Sequence, residues 1–119
     1  MELNTEMALA NLGHDVSLYQ FLMQSLIDEL PQYIEVLKTS SDSTDIETAP
    51  RIAHVIKGHL LMFGCENDAA SCNRLQHQLS QCEHRESYQA LITQLLETAS
   101  SFLEALRAQQ KLLVHQKTS

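Results

Sequence analysis

Residues 49–64 read APRIAHVIKGHLLMFG, and their apolar positions recur at the spacing of an amphipathic helix. Pro50 suits the first turns of such a helix, and Gly64 suits its end. We therefore predict a helix over residues 45–63. Its buried face comprises Ile46, Ala49, Ala53, Ile56, Leu60 and Phe63. Its other face carries His54, Lys57, Gly58 and Leu61.

The segments on either side show the same helical periodicity. The pattern predicts four further helices, over residues 5–12, 16–39, 67–83 and 88–113. Asp15 is placed to cap the second helix, and Pro31 lies within it without interrupting its apolar register, so we expect one helix with a kink. The predicted buried stripe of this helix comprises Leu18, Phe21, Leu22, Ser25, Leu26, Glu29, Leu30, Tyr33, Ile34 and Leu37.

Four long amphipathic helices with short connections predict an all-α fold. The expected architecture is an antiparallel up-down-up-down four-helix bundle with a short extra N-terminal helix. A polar run over residues 39–44 predicts the clearest loop. We assign residues 1–114 to a single domain and residues 115–119 to a frayed C-terminal tail.

The composition narrows the classes of partner and compartment. Eight Lys and Arg oppose 15 Asp and Glu, and the resulting net charge of −7 repels nucleic acid and anionic membranes. The three cysteines are odd in number and form no Cys-x-x-Cys pair, which argues against a disulfide framework and a zinc site. No signal peptide and no apolar run of about eighteen residues is present. We therefore expect a cytoplasmic protein.

Gly58 is the unusual residue of the third helix. A glycine in a helix interior costs about 1 kcal/mol relative to alanine, so its presence indicates a need for uncovered backbone. It lies one turn from His54 on the same face, and Lys57 brings an ammonium within reach of an anion on that ring. A neutral imidazole is nucleophilic near pH 7. The three residues together predict a histidine that accepts and releases a phosphoryl group.

These residues resemble the motif of the histidine-containing phosphotransfer (HPt) domain family of two-component phosphorelays. The family pattern is a helical His-x-x-Lys-Gly and a second glycine six residues later. A small residue, a leucine and a glutamine or glutamate follow on the next helix. The sequence matches with His54, Lys57, Gly58, Gly64, Cys72, Leu75 and Gln76. The resemblance also includes Ala53 and residues 9–15 and covers about residues 5–82, whereas the last helix matches only in length and amphipathicity.

The resemblance implies a role for each matched side chain. His54 is the phosphorylated residue, through the ring nitrogen farther from the backbone, and Lys57 steadies the phosphoryl oxygens. Gln76 holds the other ring nitrogen by a hydrogen bond, which fixes the tautomer. Three residues depart from the usual pattern and leave partner choice and local packing open: His59, Asp68 and Met62.

The resemblance further implies a phosphorelay intermediate. It accepts a phosphoryl group from the aspartyl phosphate of a receiver domain and passes the group to another receiver. The expected partners of this monomer are response-regulator receiver domains and a hybrid sensor kinase. We expect them to approach over Arg51, Val55, Lys57, Gly58, Leu61 and parts of the second helix. Since Mg²⁺ belongs to the receiver in such pairs and no Gly-rich phosphate loop is present, we expect no cofactor, no metal site and no autokinase activity.

Two alternatives come from other functional classes. An adaptor bundle of the same shape would bind a receiver or sensor kinase without carrying phosphate, whereas only the phosphotransfer hypothesis predicts an acid-labile, alkali-stable label. A metal-binding helical bundle would use the histidines and cysteines, and metal content after purification would reveal it. His59 lies about 140° around the helix from His54, so these two residues cannot chelate one metal from a regular helix.

Overall fold

The computed structural model describes residues 1–40 and 45–118, with side chains described through residue 113. Residues 41–44, which belong to the predicted loop, lie outside this part. The described residues contain no strand and form five helices: α1 (Thr5–Asn11), α2 (Val16–Ser40), α3 (Thr48–Met62), α4 (Glu66–Gln81) and α5 (Arg85–Thr118). The prediction of an all-α protein is confirmed. Over the same ranges, no helix has the length and apolarity that crossing a bilayer requires.

The helices pack around one apolar core. Helix α3 packs most closely against α4, α2 packs against α5, and α1 contacts both α2 and α3. Near the middle of the core the Phe63 ring lies 5.7 Å from the Tyr19 ring and 6.0 Å from the Phe102 ring, between ring centroids. Ile56 and Leu60 of α3 are fully buried, and such side chains contribute roughly 1.5–3 kcal/mol each. This burial fixes which side of α3 faces outward.

An aspartate side chain bonds the backbone at the start of α2, and another does so just before α3. The Asp15 carboxylate accepts the backbone N–H of Leu18 at 3.0 Å, which confirms its predicted role as the cap of α2. The Asp45 carboxylate accepts the N–H of Glu47 at 2.9 Å, the N–H of Thr48 at 3.3 Å and the Thr48 hydroxyl. These bonds, that of the Thr48 hydroxyl first, lower the pKa of Asp45. They hold residues 45–47 outside the helix, so α3 begins three residues later than predicted.

The last helix is longer than predicted at both ends. It begins at Arg85 rather than at residue 88, and it continues to Thr118. The predicted frayed tail over residues 115–119 is therefore helical as far as Thr118, while Ser119 lies outside the described residues. Neither glycine nor proline occurs in this segment, so no residue there ends the helix.

Helix α2 buries a different set of residues from the predicted stripe. Pro31 lies inside one continuous helix, as predicted. However, Leu18, Phe21 and Glu29 are exposed, and the Phe21 side chain is 67% accessible. Ile46, assigned to the buried face of α3, is exposed as well. The core side of α2 comprises three residues of the predicted stripe, Leu26, Leu30 and Leu37, together with Tyr19, Met23 and Ser40. Helix α2 thus carries a second apolar face that the rest of the described chain leaves open.

The turn between α3 and α4 is tightly constrained. Gly64 has φ +77°, a conformation that favours glycine, and a Cβ atom added there would lie 2.5 Å from the Asn4 Cβ. The Asn4 N–H donates to the Phe63 carbonyl at 3.0 Å, and the Cys65 N–H donates to the Leu60 carbonyl at 2.8 Å. The predicted end of the helix at Gly64 is confirmed. Because only three residues join two closely packed helices, α3 and α4 form a helical hairpin.

Candidate functional site

His54 lies near the middle of α3 on its outward side, and its side chain is exposed. Its neighbours Ile52 and Ala53 are buried on the opposite side of the helix, which holds this turn firmly against the core. Within the residues that the structure describes, the His54 imidazole neither donates nor accepts a hydrogen bond. The ring is therefore accessible to a partner while its backbone is fixed.

Lys57 lies one turn after His54, and its side chain extends toward α4. Its Nζ donates to the Asn73 Oδ1 at 3.4 Å, in a partly buried position. Residues three apart in a helix share a face, so the ammonium is on the same side of α3 as the His54 ring. A positive charge thus adjoins the accessible imidazole.

Gln76 is placed opposite His54 by the register of the hairpin. Lys57 contacts Asn73, and one step of three residues along each helix, in opposite directions, leads to His54 and Gln76. The hydrogen bond that the resemblance implies between His54 and Gln76 is not formed. The Gln76 Oε1 is buried without a hydrogen-bond partner. Because the imidazole is exposed, water competes for its ring nitrogens in the isolated chain.

Gly58 follows Lys57 directly and is exposed. A Cβ atom added at this position would meet no atom within 4 Å, leaving aside the backbone of its own helix turn. The packing of the described chain therefore does not require glycine here. That the uncovered backbone serves the approach of another molecule stays a prediction.

A groove between α2 and α3 adjoins Gly58. It has a volume of about 620 Å³ and is lined by Phe21, Leu22, Ser25, Leu26, Glu29, Val55, Gly58, His59, Met62 and Phe63. Burial lowers the pKa of His59, and the Glu29 carboxylate partly offsets this effect. The His59 side chain is half-buried where it lines the groove.

The other residues predicted for partner approach occupy the outward side of the same helix. Arg51 and Leu61 are exposed, and the Leu61 side chain is 48% accessible. Val55 is half-buried because it also lines the groove. The structure therefore brings the predicted surface and the groove together around His54.

Comparison with known protein families shows which domain family the chain belongs to. The family model of the Hpt domain matches residues 22–109. The chain belongs to the Hpt domain family. No curated protein and no solved structure matches the chain significantly.

The Hpt match covers a different range from the resemblance drawn from the motif. It begins after residues 9–15, which the motif comparison had included, and it extends through most of α5. Hpt domains are phosphotransfer modules of phosphorelay signalling rather than autokinases, and they interact with receiver and kinase domains. The last helix is therefore part of the family pattern, although its sequence carries no motif residue.

The cysteines of this Hpt domain belong to the packing rather than to the candidate site. Cys65 and Cys72 are buried, and Cys82 is half-buried at the end of α4. Burial raises the pKa of the Cys72 thiol to about 11, so the thiol stays protonated at neutral pH. Among the side chains that the structure describes, those of residues 1–40 and 45–113, no cluster of three His, Cys, Asp or Glu could hold a metal ion.

Sequence reasoning missed two features of the Hpt site. Asn73 contacts Lys57, and its signal was available: it lies three residues before Gln76 and therefore on the same face of α4. The exposure of Phe21 had no signal in the sequence, because a helix with two apolar faces does not show which one its own chain covers.

Proposed function

We propose that His54 accepts a phosphoryl group from the aspartyl phosphate of a receiver domain and passes it to another receiver. The observation that carries this proposal is the accessible imidazole on a firmly packed helix, with the Lys57 ammonium and the open backbone of Gly58 beside it. Such a site supplies position and charge, which are the main requirements of phosphoryl transfer.

In the proposed step, the lone pair of the His54 Nε2 attacks the phosphorus of the aspartyl phosphate. The new N–P bond forms as the bond from phosphorus to the aspartyl oxygen breaks, and the electron pair of that bond leaves with the carboxylate. Lys57 offsets the charge of the transferred group. The buried Oε1 of Gln76 is an acceptor without a partner, so a rotation of the imidazole would let its Nδ1–H donate there. That bond would leave Nε2 as the nucleophile.

We propose that the receiver docks over the outward side of α3 and the groove beside it. Arg51, Val55, Gly58 and Leu61 form the part next to His54, and the exposed Phe21 extends the surface onto α2. Exposed apolar side chains at a groove mark an interaction site. A weak and transient interface suits a module that must release each partner.

The remaining proposals concern architecture and setting. We infer one domain over residues 1–114 that acts as a monomer, with four long helices in up-down-up-down order. The ring contacts of Phe63 support this order, and so does the bond from the Tyr88 hydroxyl to the Asp45 carbonyl at 3.3 Å, because α3 and α5 then run in the same direction. The three free cysteines favour a reducing cytoplasm.

The decisive experiment is phosphorylation of the protein by a panel of receivers carrying labelled aspartyl phosphate. We expect an acid-labile, alkali-stable label on the wild-type protein and none on His54→Gln, with unchanged helical content. His77→Gln is the matched control, because His77 is an exposed histidine of α4. It should accept label at the wild-type rate.

A label that persists in His54→Gln would show that His54 is not the acceptor. A wild-type protein that binds the receivers but takes no label from any of them would support the adaptor hypothesis instead.

A further inference from the structure

We infer that Asn73 is a positioning residue, which holds the Lys57 ammonium beside His54 for phosphoryl transfer. The inference deepens the proposed function and rests on it. It adds a fourth residue to His54, Lys57 and Gln76, and it gives α4 two tasks in the site rather than one.

The geometry of the hairpin supports this role. Asn73 of α4 contacts Lys57, and helical spacing predicts Gln76, one turn later along α4, on the same face and level with His54. The Asn73 amide oxygen is the hydrogen-bond acceptor of the Lys57 ammonium, and the contact is partly buried. A free lysine side chain has many rotamers, and ordering it during transfer would slow the step. The contact with Asn73 selects rotamers on the α4 side before the receiver arrives.

The chemistry of the amide also matters. In the part of the chain that the structure describes, Lys57 forms no ion pair with a carboxylate. The amide oxygen orients the ammonium without neutralising it, so the full charge remains for the phosphoryl oxygens. A carboxylate at the same position would compete with the phosphoryl group for the ammonium and would repel the transferred anion. Asparagine satisfies both requirements, orientation and retained charge.

The test compares Asn73→Ala and Asn73→Asp with the wild type in single-turnover transfer from a labelled receiver. Asn73→Ala should slow transfer about three- to tenfold, because the ammonium loses its anchor. Asn73→Asp should slow it further, yet it should be at least as stable to urea, because it forms an ion pair with Lys57. Gln78→Glu, an exposed amide-to-carboxylate change on α4, is the matched control and should transfer at the wild-type rate.

A second comparison shows whether Asn73 acts through Lys57. In a Lys57→Met background, Asn73→Ala should cause no further loss of rate, because there is no ammonium left to position. An equal loss in both backgrounds would overturn the inference, and so would wild-type transfer by Asn73→Asp. Absence of label on the wild-type protein would instead contradict the proposed function itself, so the two failures are distinguishable.

Discussion

Gly58 and Gly64 lie six residues apart and meet opposite constraints. Gly64 has a positive φ and faces Asn4 so closely that a Cβ atom would lie 2.5 Å from the Asn4 side chain. Gly58 is helical and exposed, and a Cβ atom there would meet nothing within 4 Å. The fold of this chain therefore requires glycine at position 64, whereas we propose that glycine at position 58 serves the approach of a second molecule. One short segment thus contains a glycine that the fold needs and a glycine that we propose for recognition.

Replacing Gly64 with alanine should produce the largest effect. A non-glycine residue at positive φ costs about 1–2 kcal/mol, and the overlap with Asn4 adds a similar amount. We expect Gly64→Ala to lower the free energy of unfolding by about 2–4 kcal/mol, measured by urea denaturation. A loss below about 0.5 kcal/mol would show that the turn relaxes easily and that the fold does not require glycine at position 64.

Replacing Gly58 with glutamate should leave the fold intact and slow phosphoryl transfer. The added side chain would cover the backbone next to His54 and place a carboxylate where the receiver approaches. We expect about a tenfold slower transfer from a labelled receiver, equivalent to about 1.4 kcal/mol. Circular dichroism supplies the control for folding, and an unchanged rate would refute the explanation of this glycine.

The smaller substitution Gly58→Ala sharpens the contrast, because its effect on stability should have the opposite sign to that of Gly64→Ala. Alanine has the higher helix propensity, and the methyl group meets no neighbour, so stability should rise by about 0.5–1 kcal/mol. Urea denaturation of both alanine variants under one set of conditions gives the comparison. Destabilisation by Gly58→Ala would mean that the described chain itself requires this glycine.

The smallest expected effect is the pH dependence of stability that His59 causes, a residue of the groove beside Gly58. Burial lowers the pKa of His59 from its ordinary value of 6.5, so the folded protein binds a proton less readily than the unfolded chain. Its contribution to stability is therefore present above about pH 6.5 and is lost as the pH falls from there toward the folded-state pKa.

The measurement is the difference in unfolding free energy between pH 7.5 and pH 5.5, for the wild type and for His59→Gln. The difference should be smaller in the variant. His84→Gln is a suitable control because His84 is exposed. Identical differences in wild type and His59→Gln would exclude His59 as the source.

The sequence predicts the inner face of α3 well and that of α2 poorly, for one physical reason. On α3, apolar residues such as Ala53, Ile56 and Leu60 follow a single stripe, and all three are fully buried. On α2, the hydrophobic residues occupy two faces. The predicted stripe includes residues of both: some are buried in the core, and others, such as Phe21, line the open groove. Hydrophobicity indicates that a surface avoids water, without showing which molecule covers it.

The candidate site also has a part that the sequence predicts and a part that it does not. His54 and Lys57 are recognised from their spacing within one helix, since three residues make nearly one turn. The contact of Lys57 with Asn73, and the missing bond to Gln76, depend on how two helices meet. The spacing of Asn73 from Gln76 indicates which face of α4 carries Asn73. Side-chain rotamers and competition with water decide whether a given pair on that face forms a bond, and no local pattern of residues encodes these.

The backbone bond between Asn4 and Phe63 links the amino-terminal segment to the turn between α3 and α4. Asn4 also caps α1 through its side chain, which accepts the Met7 N–H at 3.0 Å. A substitution at Asn4 would remove this side-chain cap, while the backbone bond to Phe63 would stay, so the amino-terminal segment would be held less firmly against the turn. Because Asn4 also packs against Gly64 in the turn between α3 and α4, a change there would reach the hairpin that carries the proposed acceptor His54, although Asn4 lies 50 residues before it in the sequence.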